Sequence, residues 1–213
     1  MSGHDDVLAA AKDMLRLGLT SGTSGNVSAR LDDGHFVITP SSIAYDTMTL
    51  DDLVVIDTAG EVVEGKRSPS SEKLVHLACY KRYPEIGSVI HAHPVYASMF
   101  AVAREPIPPA IDEFAVYVGG PVPCADYAMT GTPELGENAA DRLESVGTAL
   151  LASHGTVTVA QTPASAIHQL GVVEHAAQIV WGARALGSVA ELPRETNDTL
   201  SGYYRMLRQR PPA

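Results

Sequence analysis

Residues 87–99 read GSVIHAHPVYASM, and this stretch places two histidines at the end of a predicted buried strand. Because successive side chains of a strand alternate between its two faces, His91 and His93 leave the backbone on the same face. Pro94 cannot donate to a sheet ladder, so we expect the strand to end near it, at the edge where α/β sheets tend to place their sites. The pair is either half of a metal site or two structural histidines held by hydrogen bonds.

The length and composition predict a single domain over residues 1–213. The chain has 213 residues, 45% of them hydrophobic, which allows one sizeable core, and no linker or charge run divides it. The formal net charge of -10 argues against nucleic acid or an anionic membrane as the main partner. Residues 1–15 lack an apolar signal core and no apolar run is long enough to cross a bilayer, so we expect a cytoplasmic protein.

Two stretches rich in glycine and hydroxyl residues precede the histidine pair. One reads TSGTSGNVSARL over residues 20–31, and the other reads TPSS over residues 39–42. Such turns can present backbone N–H groups to an anion, although a plain turn is the alternative in each case. The residues of interest in them are Gly25, Asn26, Ser41 and Ser42.

A third hydroxyl-rich stretch, SPSSE over residues 68–72, stands at the predicted start of a helix that Ser68 or Ser70 caps. Glu72 is then expected in the first helical turn, where free N–H groups favour a negative charge. That charge is either the Glu72 carboxylate, acting as a cap, or a phosphate bound near Ser70 and Ser71. His76 shares a helix face with Glu72 and either orients the carboxylate or packs in the core.

A third candidate ligand is His154, which lies in the sequence ALLASHGTVTVA over residues 149–160. It occupies a predicted tight bend between two buried strands, a position that suits a ligand or a hydrogen-bonded turn residue. His168 and His175 are about 10 Å apart on a predicted long helix, too far to share a metal ion. Elimination leaves His91, His93 and His154, a number of histidines typical of a catalytic zinc site, with Glu72 as the strongest nearby acid.

The motifs GTSGNVSAR, ITPSS, SPSSE, VIHAHP and SHG follow one another in an order and spacing similar to those of a known family. Between about Met14 and Gly187 the chain resembles class II aldolases of the L-fuculose-1-phosphate aldolase and L-ribulose-5-phosphate 4-epimerase type. The resemblance implies a three-layer α/β/α domain around a mainly antiparallel sheet. It also implies a homotetramer with active sites at subunit interfaces.

The resemblance makes His91, His93 and His154 ligands of one Zn²⁺ per subunit, and Glu72 a further ligand that can leave the metal and act as acid and base. The implied reaction is the reversible cleavage of a ketose 1-phosphate to dihydroxyacetone phosphate and an aldehyde, lactaldehyde if the sugar is fuculose. The substrate is thus a phosphorylated sugar. The phosphate-binding residues implied by the matching motifs are Gly25, Asn26, Ser41, Ser42, Ser70 and Ser71.

Two positions depart from the pattern of this family. Ser42 stands where many of its aldolases have glycine. Where they often carry a catalytic tyrosine, this chain has Asp112 and Glu113, so the candidate replacements are these two acids, Tyr117 and a tyrosine near the C-terminus. The alternatives are therefore a sugar-phosphate epimerase, dehydratase or decarboxylase on the same scaffold and, less favoured, a non-catalytic metal-binding or scaffold domain.

Overall fold

The computed structural model describes residues 3–209, in which short strands alternate with helices. The first part of the chain forms α1 (Gly3–Arg16), β1 (Asn26–Arg30), β2 (Phe36–Ile38), a 3-10 turn (Leu50–Asp52), β3 (Val54–Ile56), β4 (Val62–Glu64), α2 (Lys73–Arg82) and β5 (Ser88–Ala92). The second part forms α3 (Val95–Ala103), α4 (Asp112–Val118), β6 (Cys124–Ala125), α5 (Pro133–Asp141), β7 (Thr148–Leu151), β8 (Gly155–Ala160), α6 (Pro163–Leu186) and α7 (Arg194–Arg208).

The strands of residues 3–209 form one eight-stranded sheet in the order β4-β3-β2-β1-β5-β8-β7-β6. Neighbouring strands are antiparallel except β6 and β7, which are parallel, so the predicted mainly antiparallel sheet is confirmed. The two middle strands decide the geometry of the site. β1 and β5 pair so that Asn26 lies opposite His91 and Ser28 opposite Val89.

Helices cover both faces of the sheet, which makes the fold the predicted three-layer α/β/α sandwich. On one face, Val89 of β5 packs in a core cluster with residues of α2 and α5. On the other face, Ile90 and Ala92 of the same strand pack in a cluster with α1 and α6. A third cluster joins α3 and α4 to α6. Because side chains alternate along β5, His91 points toward the α2 face.

The helix ends carry residues that suit those positions. Helix α1 ends at Arg16, shortly before Gly18, which has the left-handed φ of 69° that suits a helix end. Helix α6 begins at Pro163 with the Thr162 hydroxyl as its cap. The C-terminal segment, for which the sequence made no prediction, forms α7, and Arg208 donates to the carbonyls of Leu143 and Val146. Within residues 3–209 no helix is long and apolar enough to cross a membrane.

A carboxylate from α6 holds the chain directly after the histidine pair. Glu174 accepts hydrogen bonds of 2.9 and 2.8 Å from the backbone N–H groups of Tyr96 and Ala97, in the first turn of α3. Pro94 precedes this helix and has no side chain that can cap it. A negative charge at a helix N-terminus also interacts favourably with the helix dipole. The contact therefore ties the end of β5 to the longest helix.

We predict that Glu174→Ala lowers the free energy of unfolding by about 1–2 kcal/mol, the usual effect of losing a helix cap. Urea denaturation of the metal-free protein would measure it. Glu105→Ala is the matched control because Glu105 pairs with Arg184 on the surface, where ion pairs contribute about 0–1 kcal/mol. Equal destabilisation by the two substitutions would contradict the capping role.

Candidate metal centre and active site

Three histidines from distant parts of the chain meet at one end of the central strands. His91 and His93 come from the end of β5, and His154 comes from the turn between β7 and β8. Their possible ligand atoms all lie within 4.8 Å of one another, and the Nε2 atoms of His91 and His93 are 2.9 Å apart. The prediction that these three side chains converge is confirmed.

Two local features of the chain allow the turn that carries His154 to lie close to His91 and His93. Ser153 has a left-handed φ of 57°, which a non-glycine residue adopts only at a conformational cost, and it shapes the bend that presents His154. Gly155, which follows, has no Cβ atom. A Cβ there would lie 2.4 Å from the Ala92 carbonyl oxygen and 2.6 Å from Cδ2 of His93. A larger residue at position 155 would therefore push β8 away from the histidine pair.

Glu72 completes the cluster from the α2 side. Its Oε2 atom is 3.0 Å from Nε2 of His91 and accepts a hydrogen bond of 3.3 Å from the Asn26 amide. Its Oε1 atom is 3.3 Å from Nε2 of His154. The expected position of Glu72 in the first helical turn is wrong, because α2 begins only at Lys73 and the Glu72 side chain makes no capping hydrogen bond. The carboxylate turns toward the histidines instead.

The cluster has the protonation states that metal binding requires. Burial alone would raise the pKa of Glu72, but the hydrogen bond from His91 and the charges of His91 and His154 outweigh it and lower the pKa to about 2. Burial, reinforced by the neighbouring histidines, lowers the pKa of His93 to about 4 and also lowers that of His154. At neutral pH the carboxylate is charged and these two imidazoles are neutral.

The free atoms of the cluster fit a divalent cation. His91 uses Nδ1 to donate a 2.8 Å hydrogen bond to the Thr156 carbonyl, so a cation at its Nε2 atom would take the place of the proton that faces Glu72 there. Oε1 of Glu72 is buried without a hydrogen-bond partner, since its contact with His154 lacks hydrogen-bond geometry. Imidazole nitrogens with one carboxylate oxygen are a donor set typical of zinc and related ions. His91, His93, His154 and Glu72 can therefore hold a metal.

Two of the hydroxyl-rich loops lie side by side next to Glu72. Pro40 and Pro69 form an isolated bridge between them. The Ser41 hydroxyl donates to the Pro69 carbonyl and accepts from the N–H of Ser71. The Ser70 hydroxyl accepts from the N–H of Glu72. The hydroxyls of the exposed Ser42 and Ser71 make no hydrogen bond within residues 3–209, so they are free to bind a ligand.

The remaining loop, which carries Gly25 and Asn26, passes directly over the histidine strand. Gly25 has a left-handed φ of 81°, and a Cβ on it would lie 2.7 Å from the His91 carbonyl oxygen. The buried Tyr45 donates its hydroxyl hydrogen bond to the Gly25 carbonyl. Nothing in the spacing of the sequence pointed to Tyr45. The Asn26 side chain contacts Glu72, and its predicted role with phosphate stays a prediction.

The residues considered as replacements for the catalytic tyrosine lie away from the metal cluster of the same chain. Asp112 and Glu113 are exposed at the start of α4. Tyr117 packs edge-on against His168, with ring centroids 4.6 Å apart. Tyr204 is buried in α7 and its hydroxyl has no hydrogen-bond partner. Within residues 3–209 none of these side chains hydrogen-bonds to Glu72 or to the three histidines.

A cavity of about 740 Å³ opens on the outer side of α2 and is separate from the metal cluster. Its lining includes Arg30, Phe36, Tyr80 and Lys81 but none of the four candidate ligands. We place the active site at the metal cluster and not at this cavity. The cluster brings together side chains with shifted pKa values and ligand atoms that have no hydrogen-bond partner.

We predict that replacing His91, His93 or His154 with Ala lowers bound divalent metal from about one equivalent per chain to a small fraction of that, since each change removes one of the few ligands. Metal content would be measured by elemental analysis after dialysis. His35→Ala is the control, because His35 pairs with Asp33 in a surface hairpin. Undiminished metal in all three histidine variants would rule out this site.

Comparison with known proteins identifies the family to which the chain belongs. The family model described as Class II Aldolase and Adducin N-terminal domain matches residues 5–181. An L-ribulose-5-phosphate 4-epimerase of Salmonella paratyphi B is 36% identical over 193 residues, 84% of each chain. A 5-deoxy-D-ribulose 1-phosphate aldolase of Bacillus thuringiensis serovar kurstaki is 32% identical over 199 residues, 93% of each chain.

The solved structures include one described as L-fuculose 1-phosphate aldolase, which superposes with a TM-score of 0.90 at 36% sequence identity over 95% of each chain. The fold and the type of enzyme expected from the sequence are thus confirmed, while the fuculose-phosphate reaction in particular is not. The chain belongs to the class II aldolase family.

Proposed function

We propose that this protein is a zinc-dependent aldolase that reversibly cleaves a ketose 1-phosphate to dihydroxyacetone phosphate and a short aldehyde. The observation that carries the proposal is the buried Glu72 carboxylate, 3.0 Å from Nε2 of His91 and 3.3 Å from Nε2 of His154. A carboxylate in this place can serve both as a ligand and as a base. The phosphorylated sugar would enter beside the hydroxyl-rich loops.

Each part of the site has a separate task in this proposal. His91, His93, His154 and Glu72 would hold the cation, which supplies Lewis-acid stabilisation of the negative charge that develops on the substrate oxygens. Phosphate binding falls to three loops that lie around Glu72. Ser42 and Ser71 offer free hydroxyls there. Together these groups orient the reacting carbons relative to Glu72.

Glu72 is the proposed proton carrier. Cleavage between C3 and C4 of the ketose turns the C4 hydroxyl into the aldehyde carbonyl, releases its proton to water or a base, and leaves an electron pair on C3 of the dihydroxyacetone phosphate fragment. C3 must then gain a proton, which protonated Glu72 would supply. In the reverse direction the same proton must be removed from C3. Because the pKa of Glu72 lies at about 2, the group is charged and able to accept that proton at neutral pH. The Asn26 amide hydrogen-bonds to the charged form.

The identity of the aldehyde follows from the sugar. A 5-deoxypentulose 1-phosphate would give a two-carbon aldehyde and a 6-deoxyhexulose 1-phosphate would give lactaldehyde. The relative named 5-deoxy-D-ribulose 1-phosphate aldolase and the structure named L-fuculose 1-phosphate aldolase support these two substrates. A second candidate is epimerisation of a sugar phosphate, which the relative named L-ribulose-5-phosphate 4-epimerase supports. Coupled detection of dihydroxyacetone phosphate distinguishes cleavage from epimerisation.

We further propose a homotetramer with active sites at subunit interfaces. Large apolar side chains stand exposed on neighbouring helices, Val95 and Val102 on α3 and Trp181 on α6. Burial of such a surface against a second copy is favourable. An interface near α4 would also bring Tyr117 or another residue to a neighbouring site.

The free thiols of Cys79 and Cys124 support the proposed cytoplasmic location of this single domain over residues 1–213.

We predict that catalytic efficiency falls at least about 100-fold when the substrate lacks its phosphate, because binding energy at the loops also positions the reacting carbons. Ser71→Ala should raise KM for the phosphorylated ketose. Ser145→Ala, an exposed serine in another loop, should leave KM unchanged. Equal kcat/KM for phosphorylated and unphosphorylated ketoses would refute the assignment of these loops.

We predict that Glu72→Gln lowers kcat by a factor on the order of 10²–10⁴, the span expected for one general acid or base. The three histidines should still retain much of the metal, so activity should fall far more than metal content. Glu64→Gln, an exposed change on β4, is the control. A Glu72→Gln enzyme with near-normal cleavage would leave the carboxylate without a catalytic role.

A further inference from the structure

A row of buried polar side chains connects Glu72 with the interior of the fold. Asn26 and Ser28 are on β1, His76 and Tyr80 are on α2, and all four are at most 3% exposed. The Tyr80 hydroxyl lies 2.8 Å from Oγ of Ser28, which lies 2.6 Å from Nδ1 of His76. Nε2 of His76 hydrogen-bonds to Oδ1 of Asn26, and the Asn26 amide reaches Glu72.

The direction of every hydrogen bond in this row is fixed by its end at Glu72. An ionised carboxylate can only accept, so Asn26 must face it with its NH₂ group. The Oδ1 atom of Asn26 then faces His76, which must donate from Nε2. A neutral histidine with its proton on Nε2 has only a lone pair on Nδ1, and this atom accepts from Ser28. Ser28 in turn accepts from Tyr80.

His76 is therefore the residue that holds the other end of the Asn26 amide in the orientation that the Glu72 carboxylate requires. Among residues 3–209 the Nε2–H group of His76 is the hydrogen-bond partner of Oδ1 of Asn26, so without this donor Oδ1 would be buried and unpaired and the amide would be held only at its Glu72 end. Burial and the charge of His91, opposed by the charge of Glu72, lower the pKa of His76 to about 3, which agrees with a neutral ring. Ring packing alone would require none of this hydrogen-bond pattern.

We propose that His76 is a positioning residue, which fixes the Asn26 amide through its Nε2–H group and thereby holds the Glu72 carboxylate in place against His91. The proposal rests on the proposed role of Glu72 as a metal ligand and proton carrier. It gives His76 a function in metal affinity and turnover although the ring touches neither the substrate nor the metal.

Two substitutions of His76 separate positioning from packing. His76→Phe keeps an aromatic ring in the buried site but removes both hydrogen bonds. His76→Gln removes the ring but retains an amide that can donate to Asn26 and accept from Ser28. If the ring only fills space, Phe is the better replacement. If it orients Asn26, Gln is the better replacement.

The first measurement uses Zn²⁺ alone, in competition with a chromophoric chelator, on the full chain. We expect His76→Phe to weaken zinc binding about 10- to 100-fold, as loss of a hydrogen bond behind a ligand does elsewhere. We expect His76→Gln to stay within about 3-fold of the unchanged protein. The kcat for aldol cleavage should follow the same order, and His35→Phe, in the surface hairpin, should alter neither quantity.

The outcomes are clear-cut. Three results would each overturn the proposal. The first is equal zinc affinity in His76→Phe and the unchanged protein, the second is a loss of affinity only in His76→Gln, and the third is an equal loss in both variants. Thermal unfolding of both variants establishes that they are folded at the assay temperature. Should His76→Phe fail to fold, His76→Met, flexible and unable to hydrogen-bond in this way, replaces it with the same expectation. A protein that binds zinc but cleaves no ketose phosphate would refute the proposed function and leave the zinc comparison valid.

Discussion

The pairing of β1 with β5 is the constraint on which the rest of the site depends. This antiparallel register sets Asn26 opposite His91 on the face that α2 covers. A shift of either strand by one residue would turn its polar side chain to the opposite face, toward α1 and α6, where the core is apolar. The same alternation directs Val27 and Ile90 to the other face of the sheet, where they are buried against α1 and α6. Packing of the core therefore fixes the positions of the polar groups.

Burial of the Glu72 carboxylate is tolerated only because charge and hydrogen bonds surround it. Only 7% of the residue is exposed, and burial by itself disfavours the ionised form. The neighbouring histidines and the Asn26 amide more than offset this effect. Loss of the histidines or of the Asn26 amide would leave the buried charge of Glu72 uncompensated. That is far more destabilising than replacing all of these groups with apolar side chains. The carboxylate and its neighbours thus depend on one another.

Sequence reasoning found the histidines because their signals are local. The two-residue spacing of His91 and His93 gives a common face on any strand, and the bend around His154 is visible from Ser153 and Gly155. Glu72 was misplaced in the helix because its partners are distant, with Asn26 lying 46 positions earlier in the chain. For the same reason the sequence left open whether His76 packs or orients. Which side chains become hydrogen-bond partners across the sheet depends on the register of the strands, and a local sequence pattern does not predict that register.

The loop at Ser41 and Ser42 illustrates how a departure from the family pattern acquires a physical meaning. Ser42 has a φ of 60°, a conformation that costs a residue with a side chain about 1–2 kcal/mol and costs glycine little. Glycine, which the resemblance to the family leads us to expect at this position, is thus the residue that the backbone favours. The hydroxyl hydrogen of Ser41 is already donated to the Pro69 carbonyl of the neighbouring loop, so Ser41 has none left for a phosphate oxygen. The hydroxyl that this loop can offer to a ligand is therefore the one on Ser42, the residue that bears the strain.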